Sequence, residues 1–367
     1  MRFIAAFMVF AFHIVYETPF RSTSFAGKYS RVFGQGGWTG VAFFFLLSGF
    51  VLTWSARPSD ATRRFWRRRL VKIVPNYVVA YGAALLLLAA SSLPIGGWRT
   101  LPGLFLIQSW FPQADIETSA NPVAWSLSCE VFFYLSFPLL LWLIRKIRPE
   151  RLWWWAAGAA GLVWCMPLIG RAILPSTPVA PWAPSVSTYE FWFVYVFPPA
   201  RLAEFVLGML MARIVMTGKW IGLPLVPAMG LAIAAYGLGP DVPYIDSVVA
   251  VTVIPLALLI PAAATADLRG RWSPLRSGVM VWLGNISFAF YLWHRLILIY
   301  GHRALGLGRT WGTPEAVALG TVALGVVLLV AWLTYTFIEL PMMRRWSSGG
   351  KPAPVPVADP VEAVAAG

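Results

Sequence analysis

The chain has 367 residues, of which 59% are hydrophobic and 12% charged, and a mean hydropathy of +0.69. A soluble domain carries about 25% charged residues, so this composition excludes an ordinary soluble protein and describes an integral membrane protein. In so apolar a chain the formal charge of +14 reads as membrane topology and contacts with anionic lipid or ligand, not as a nucleic-acid surface. Twenty Trp and twelve Tyr suit two aromatic belts at the membrane interfaces. The two cysteines, Cys129 and Cys165, lie in apolar segments without a CxxC or Cys/His cluster, so neither a disulfide framework nor a metal site is expected.

The first thirteen residues, MRFIAAFMVFAFH, place Arg2 and His13 at the ends of an apolar run. On a helix, eleven residues turn through about 1100°, close to three full turns, and rise about 16 Å, so both side chains share a face. His13 then lies near mid-membrane with Arg2 at one edge, a depth at which an ionisable group is a functional candidate. The alternative is a neutral histidine hydrogen-bonded between helices. No small-residue cleavage motif follows this run, so a cleavable signal peptide is not expected.

Ten apolar spans follow from the hydropathy, roughly 2–16, 38–55, 70–92, 123–144, 152–174, 191–216, 220–238, 247–264, 279–300 and 314–340. Segment 101–111 (LPGLFLIQSWF) is too short to cross and reads as interfacial or re-entrant. With the N-terminus inside and the spans alternating, 20 of the 29 Lys and Arg fall on the inner side and seven on the outer. The outer loops 175–190 and 239–246 contain neither. The asymmetry predicts an all-α membrane protein of about ten transmembrane helices with both termini cytoplasmic. Residues 1–346 form one membrane-embedded domain in this reading, and the Pro-rich tail 347–367 is expected to be disordered.

Inside the spans stand His13, Glu130, Arg201, Glu204, His294, Arg295 and Glu339. Arg201 and Glu204, three apart on one helix, can satisfy each other. Glu130 has no local partner in AWSLSCEVFFYLSF and is placed for acid–base work. His294 in YLWHRL lies toward the outer half of its span, where a capped histidine and a catalytic one fit equally. Glu339, just before Arg344 and Arg345, reads as a paired structural carboxylate. The run RRFWRRRLVKIVP sets topology, and its arginines interleaved with aromatic residues also suit a polyphosphate such as coenzyme A, or an anionic lipid. No GxGxxG, Walker A, GxSxG or zinc-ligand spacing occurs.

Several of these stretches together resemble the acyltransferase-3 family of multi-pass membrane O-acyltransferases. RFIAAFMVFAFH is similar to the family's first helix with its Arg-x10-His, and GWTGVAFFFLLSGFVL to its second. RRRLVKIVPNY is similar to the family's basic stretch, and NPVAWSLSCEVFFYLSFPLL, after LIQSW, to its WSLxxE signature. PPARLAEFVLGMLMAR, LGNISFAFYLWHRLIL and TYTFIELP resemble the remaining landmarks, so the likeness runs from Arg2 to Pro341. It departs at Lys72, where the family has a second Arg, and after His294, where Arg295-Leu296 replaces a Trp-Pro.

The resemblance implies transfer of a short acyl group, acetyl in the first instance, from acyl-CoA to a hydroxyl. His13 and Glu130 take the family's catalytic positions, and Arg2, Arg67, Arg68, Arg69 and Lys72 are expected to bind the donor. CoA would enter from the inner side and its pantetheine arm, about 15–20 Å extended, would carry the thioester to His13. The histidine would act as general base or as a transient acyl carrier, with Glu130 orienting it or the acceptor. Acyl-CoA is a substrate in this scheme, and no permanently bound cofactor or metal is expected. The acceptor is expected to be a cell-envelope glycan or a glycosylated metabolite such as a macrolide, in a bacterial inner membrane and in a stand-alone form without an esterase-like domain. A rival from another class is a transporter or flippase, which would favour internal repeats that this sequence does not display.

Overall fold

The structure is a computed structural model, and it describes residues 1–57, 60–93 and 96–346. The tail expected to be disordered lies outside the described residues. Among these, ten helices of 14 to 29 residues carry the fold. They are α1 (Arg2–Glu17), α2 (Gly36–Trp54), α3 (Thr62–Ala90), α4 (Trp125–Arg145), α5 (Leu152–Ile173), α6 (Pro198–Met216), α7 (Leu225–Leu238), α8 (Val253–Leu268), α9 (Gly278–Gly306) and α10 (Thr313–Thr334). Shorter helices and one antiparallel ribbon, Val179–Ala180 with Ala183–Ser187, fill the connections.

Among the described residues seven helical stretches, those containing α2 to α6, α8 and α10, are long and apolar enough to cross a membrane. Of the other expected spans, α1 and α7 have 16 and 14 residues, fewer than the roughly 20 a crossing helix takes. Helix α9 has 29 residues and carries His294, Arg295, His302 and Arg303 in its second half. Helix α3 starts at Thr62, ahead of the expected span 70–92, so the basic run forms its first turns. Residues Trp192–Val196 form a π turn ahead of α6, and Pro198 and Pro199 then occupy the first helical positions, where a missing N–H costs no hydrogen bond.

Helices α2 and α6 are the buried centre. They cross where each has a glycine: a Cβ on Gly49 would fall 2.0 Å from the Phe205 carbonyl oxygen, and one on Gly208 2.0 Å from that of Leu46. Only glycine allows two helix backbones this close. The opposite part of α2 supports α1 in the same way, with Gly36 against the Met8 carbonyl and Gly40 against Ala5 and Val9. Helix α9 closes over α1 through Phe290, whose ring meets Phe3 and Phe10 edge-on at 5.4 and 5.9 Å. The loops at one end of this pair are joined by backbone bonds between Pro19, Arg21 and Trp311. Segment 101–111 folds into the bundle: Gln108 and Ser109 are buried, and the Tyr77 hydroxyl donates to the Gly103 carbonyl at 2.5 Å.

Candidate active site

The glycine seat on α2 and the aromatic cover from α9 fix α1, and they bring His13 to His294. His13 Nδ1 lies 2.9 Å from the Val9 carbonyl, one turn earlier, and 3.0 Å from His294 Nε2. His294 Nδ1 in turn lies 2.6 Å from the Tyr291 carbonyl. His294 is fully buried, whereas His13 keeps part of its surface. One turn further along α1, Glu17 accepts from Arg295 and lies 3.0 Å from His302 Nδ1. Two residues of α1 are thereby clamped by three of α9.

Below this pair, α1, α2, α3, α4 and α9 enclose a cleft with about 760 Å³ of atom-free space, its open mouth included. Its polar lining comprises Arg2, Ser48, Arg69, Lys72, Ser126, Glu130, Tyr134, Ser287 and Tyr291, among apolar residues such as Phe44, Phe45, Ile73 and Phe288. Glu130 accepts from the Tyr134 hydroxyl at 3.0 Å, an i,i+4 pair on α4. Tyr291 and Ser126 share a 2.8 Å hydrogen bond, and Asn121 donates to the Leu292 carbonyl at 3.0 Å, so the start of α4 is tied to α9 beside His294. Lys72 stands 4.0 Å from Glu339, which also accepts from Asn76 at 2.5 Å.

The rest of the basic run points elsewhere. Arg67 is exposed, and Arg68 pairs with Asp60 at the start of α3. The Arg68 guanidinium holds the Asp60 carboxyl below its ordinary range. Arg201 and Glu204 form a buried 2.9 Å ion pair, with the guanidinium over the rings of Phe45 and Tyr195. Among the described residues no three His, Cys, Asp or Glu side chains cluster as metal ligands would.

The profile of a family described as an acyltransferase domain, acyltransferase-3, matches residues 1–336. The chain belongs to the acyltransferase-3 family. It is therefore an enzyme that transfers acyl groups other than aminoacyl groups, and a multi-pass membrane protein. It is 43% identical over 353 residues to the acyltransferase MdmB of Streptomyces mycarofaciens, covering 94% of this chain and 90% of that protein. The O-acetyltransferase OatA of Staphylococcus aureus is 22% identical over 345 residues, 85% of this chain and 53% of its own length. A putative O-acetyltransferase of Staphylococcus aureus is 23% identical, with 84% and 53% covered. This chain thus spans about half the length of the two staphylococcal relatives. No solved structure matches.

In this acyltransferase the expected residues divide into two groups and a remainder. Arg2, Arg69, Lys72 and Glu130 meet in the cleft. His13 meets His294 instead, and Glu130 is hydrogen-bonded to Tyr134, not to His13. Arg67 and Arg68 do not line the cleft. The residues missed from the sequence are His294 as the neighbour of His13, and Ser48, Ser126, Tyr134 and Tyr291 as cleft residues. Tyr134 is within reach of inspection, four residues after Glu130. The histidine contact spans 281 positions and leaves no local trace.

Proposed function

We propose that the enzyme moves a short acyl group, acetyl in the first instance, from acyl-CoA to a hydroxyl of a cell-envelope glycan or of a glycosylated metabolite such as a macrolide. The observation that carries this reading is the cleft in which Arg2, Arg69 and Lys72 gather beside Glu130. His13 stands on the same helix as Arg2, about 16 Å along its axis. That distance suits an anionic nucleotide at the cationic end and a thioester at the histidine. Arg67, exposed, and Arg68 stand nearer the start of α3 and are assigned to the outlying phosphates. Two of the relatives are named as O-acetyltransferases, which supports acetyl transfer to oxygen.

In this scheme the acceptor hydroxyl attacks the thioester carbonyl while His13 takes its proton. The carbon–sulfur bond then breaks, the ester leaves, and His13 passes the proton to the CoA thiolate. General-base assistance of this kind contributes about 10²–10⁴-fold. Glu130, held by Tyr134, faces the cationic donor end and orients substrate there. The enzyme is assigned to a bacterial cytoplasmic membrane with ten spans and both termini inside, supported by the 20-to-seven distribution of Lys and Arg.

The test is purified enzyme in lipid nanodiscs with radiolabelled acetyl-CoA, offered an envelope glycan extract and, separately, a glycosylated macrolide. The expected result is acceptor-dependent CoA release and labelled ester, abolished in His13→Ala. Folded His13→Ala enzyme that transfers label at the normal rate overturns the proposal.

A further inference from the structure

We infer that His294 is a positioning residue that fixes the ring and the proton of His13, so that His13 presents an unprotonated Nε2 to the acceptor. The inference deepens the reading of His13 as the base and rests on it. A carbonyl oxygen only accepts, so His294 Nδ1, 2.6 Å from the Tyr291 carbonyl, carries a proton. By the same rule His13 Nδ1, 2.9 Å from the Val9 carbonyl, carries one too.

Two nitrogens then face each other at 3.0 Å, His13 Nδ1 and His294 Nε2. With His13 Nδ1 the donor, His294 Nε2 must accept, which leaves His294 a neutral ring. The carboxylate in this network, Glu17, is already shared by Arg295 and His302. The His13 Nδ1–H is therefore divided between Val9 and His294, and its remaining nitrogen, Nε2, has no hydrogen-bond partner among the described residues. A neutral imidazole in this tautomer is a base at Nε2 only. The Val9 carbonyl lies on the histidine's own helix and allows the ring to swing, whereas the bond to α9 holds it from a second direction.

The chain has three histidines, so 15N-histidine labelling of the full-length enzyme in nanodiscs gives a resolvable spectrum. The expected result is His13 and His294 both neutral and protonated at Nδ1, with a scalar coupling across the Nδ1–H···Nε2 bond. His13 protonated at Nε2, or no coupling, overturns the inference whatever the activity. In the acetyl-CoA assay, with whichever of the glycan extract or macrolide takes label, His294→Ala is expected to lower kcat about 10²-fold, the order expected when a reacting group is misplaced, with KM values within about twofold. His294→Gln, whose amide reaches the Nε2 position, recovers part of that loss, and His294→Asn, which is too short, does not. An unchanged kcat in His294→Ala overturns the inference, and so does a Gln variant no better than Ala. If His13→Ala keeps its activity while the coupled pair is observed, the reading of His13 as base is what fails.

Discussion

Asn76 of α3 donates a 2.5 Å hydrogen bond to Glu339, 263 positions away, and the same buried carboxylate stands 4.0 Å from Lys72. The turn Tyr335–Glu339 that follows α10 is thereby fastened to the helix that supplies the cleft with Arg69 and Lys72. Losing a buried acceptor leaves its donors unmatched at about 1–3 kcal/mol. Glu339→Ala is expected to lower the melting temperature in detergent and to raise the KM for acyl-CoA, as Lys72 loses its anchor. Glu339→Gln, which can still accept from Asn76, should fall between Ala and wild type. A thermal-shift assay paired with donor titration reads both effects.

The division of the basic run makes a second prediction. Arg69 lines the cleft, while Arg67 is exposed. A charge-assisted hydrogen bond contributes about 1.5–3 kcal/mol, so Arg69→Ala should raise the KM for acetyl-CoA by about tenfold or more. Arg67→Ala should change it by less, and mainly at low salt, because an exposed charge is screened. Donor titrations of both variants at two ionic strengths would distinguish them, and equal losses would contradict the assignment.

Gly49 and Gly208 lie too close to the facing carbonyls for any Cβ. Overpacking typically costs about 1–3 kcal/mol, and backbone cannot move aside as a flexible side chain does. Gly208→Val is expected to reduce the monodisperse fraction on size-exclusion chromatography sharply. Gly82 serves as the control, because a Cβ there would meet nothing within 4 Å. Gly82→Ala should be tolerated, helped by alanine's better helix propensity.

Glu117, in the short helix Ala114–Glu117 between α3 and α4, is pushed by burial up to about 8 from an ordinary 4.5. Between those values the folded enzyme keeps a proton that the unfolded chain releases, so stability falls as pH rises through that window. Glu117→Gln should flatten this slope and raise the melting temperature most at the alkaline end. Melting curves at about pH 5.5 and about pH 8 on both proteins, bracketing part of the window, would show it, and parallel curves would refute it.

Much of the helix layout is legible because apolar length is a local property. The expected spans 38–55, 123–144 and 152–174 coincide with α2, α4 and α5 to within a few residues. The start of α3 is harder to place because dense charge resembles a loop, although arginines are good helix formers. The π turn before α6 is invisible for a different reason, as WFVYV has no feature that selects it over an α turn. In the site, Arg2 and His13 can be placed on one face by helical geometry alone. Their partners cannot: Lys72 with Glu339, and His13 with His294, are contacts between distant helices whose register only packing decides.

The contact between α1 and α9 also dictates an order of assembly. Helix α1 is made well before His294, Arg295 and His302, which hold its His13 and Glu17. Until then α1 can seat on the glycines of α2 and accept from the Tyr29 hydroxyl at Ala11, with its histidine lacking a second fixed direction. A chain ending before α9 therefore keeps Arg69 and Lys72 of the cleft wall but lacks the contacts that hold His13 and Glu17, and it is expected to show no acyl transfer.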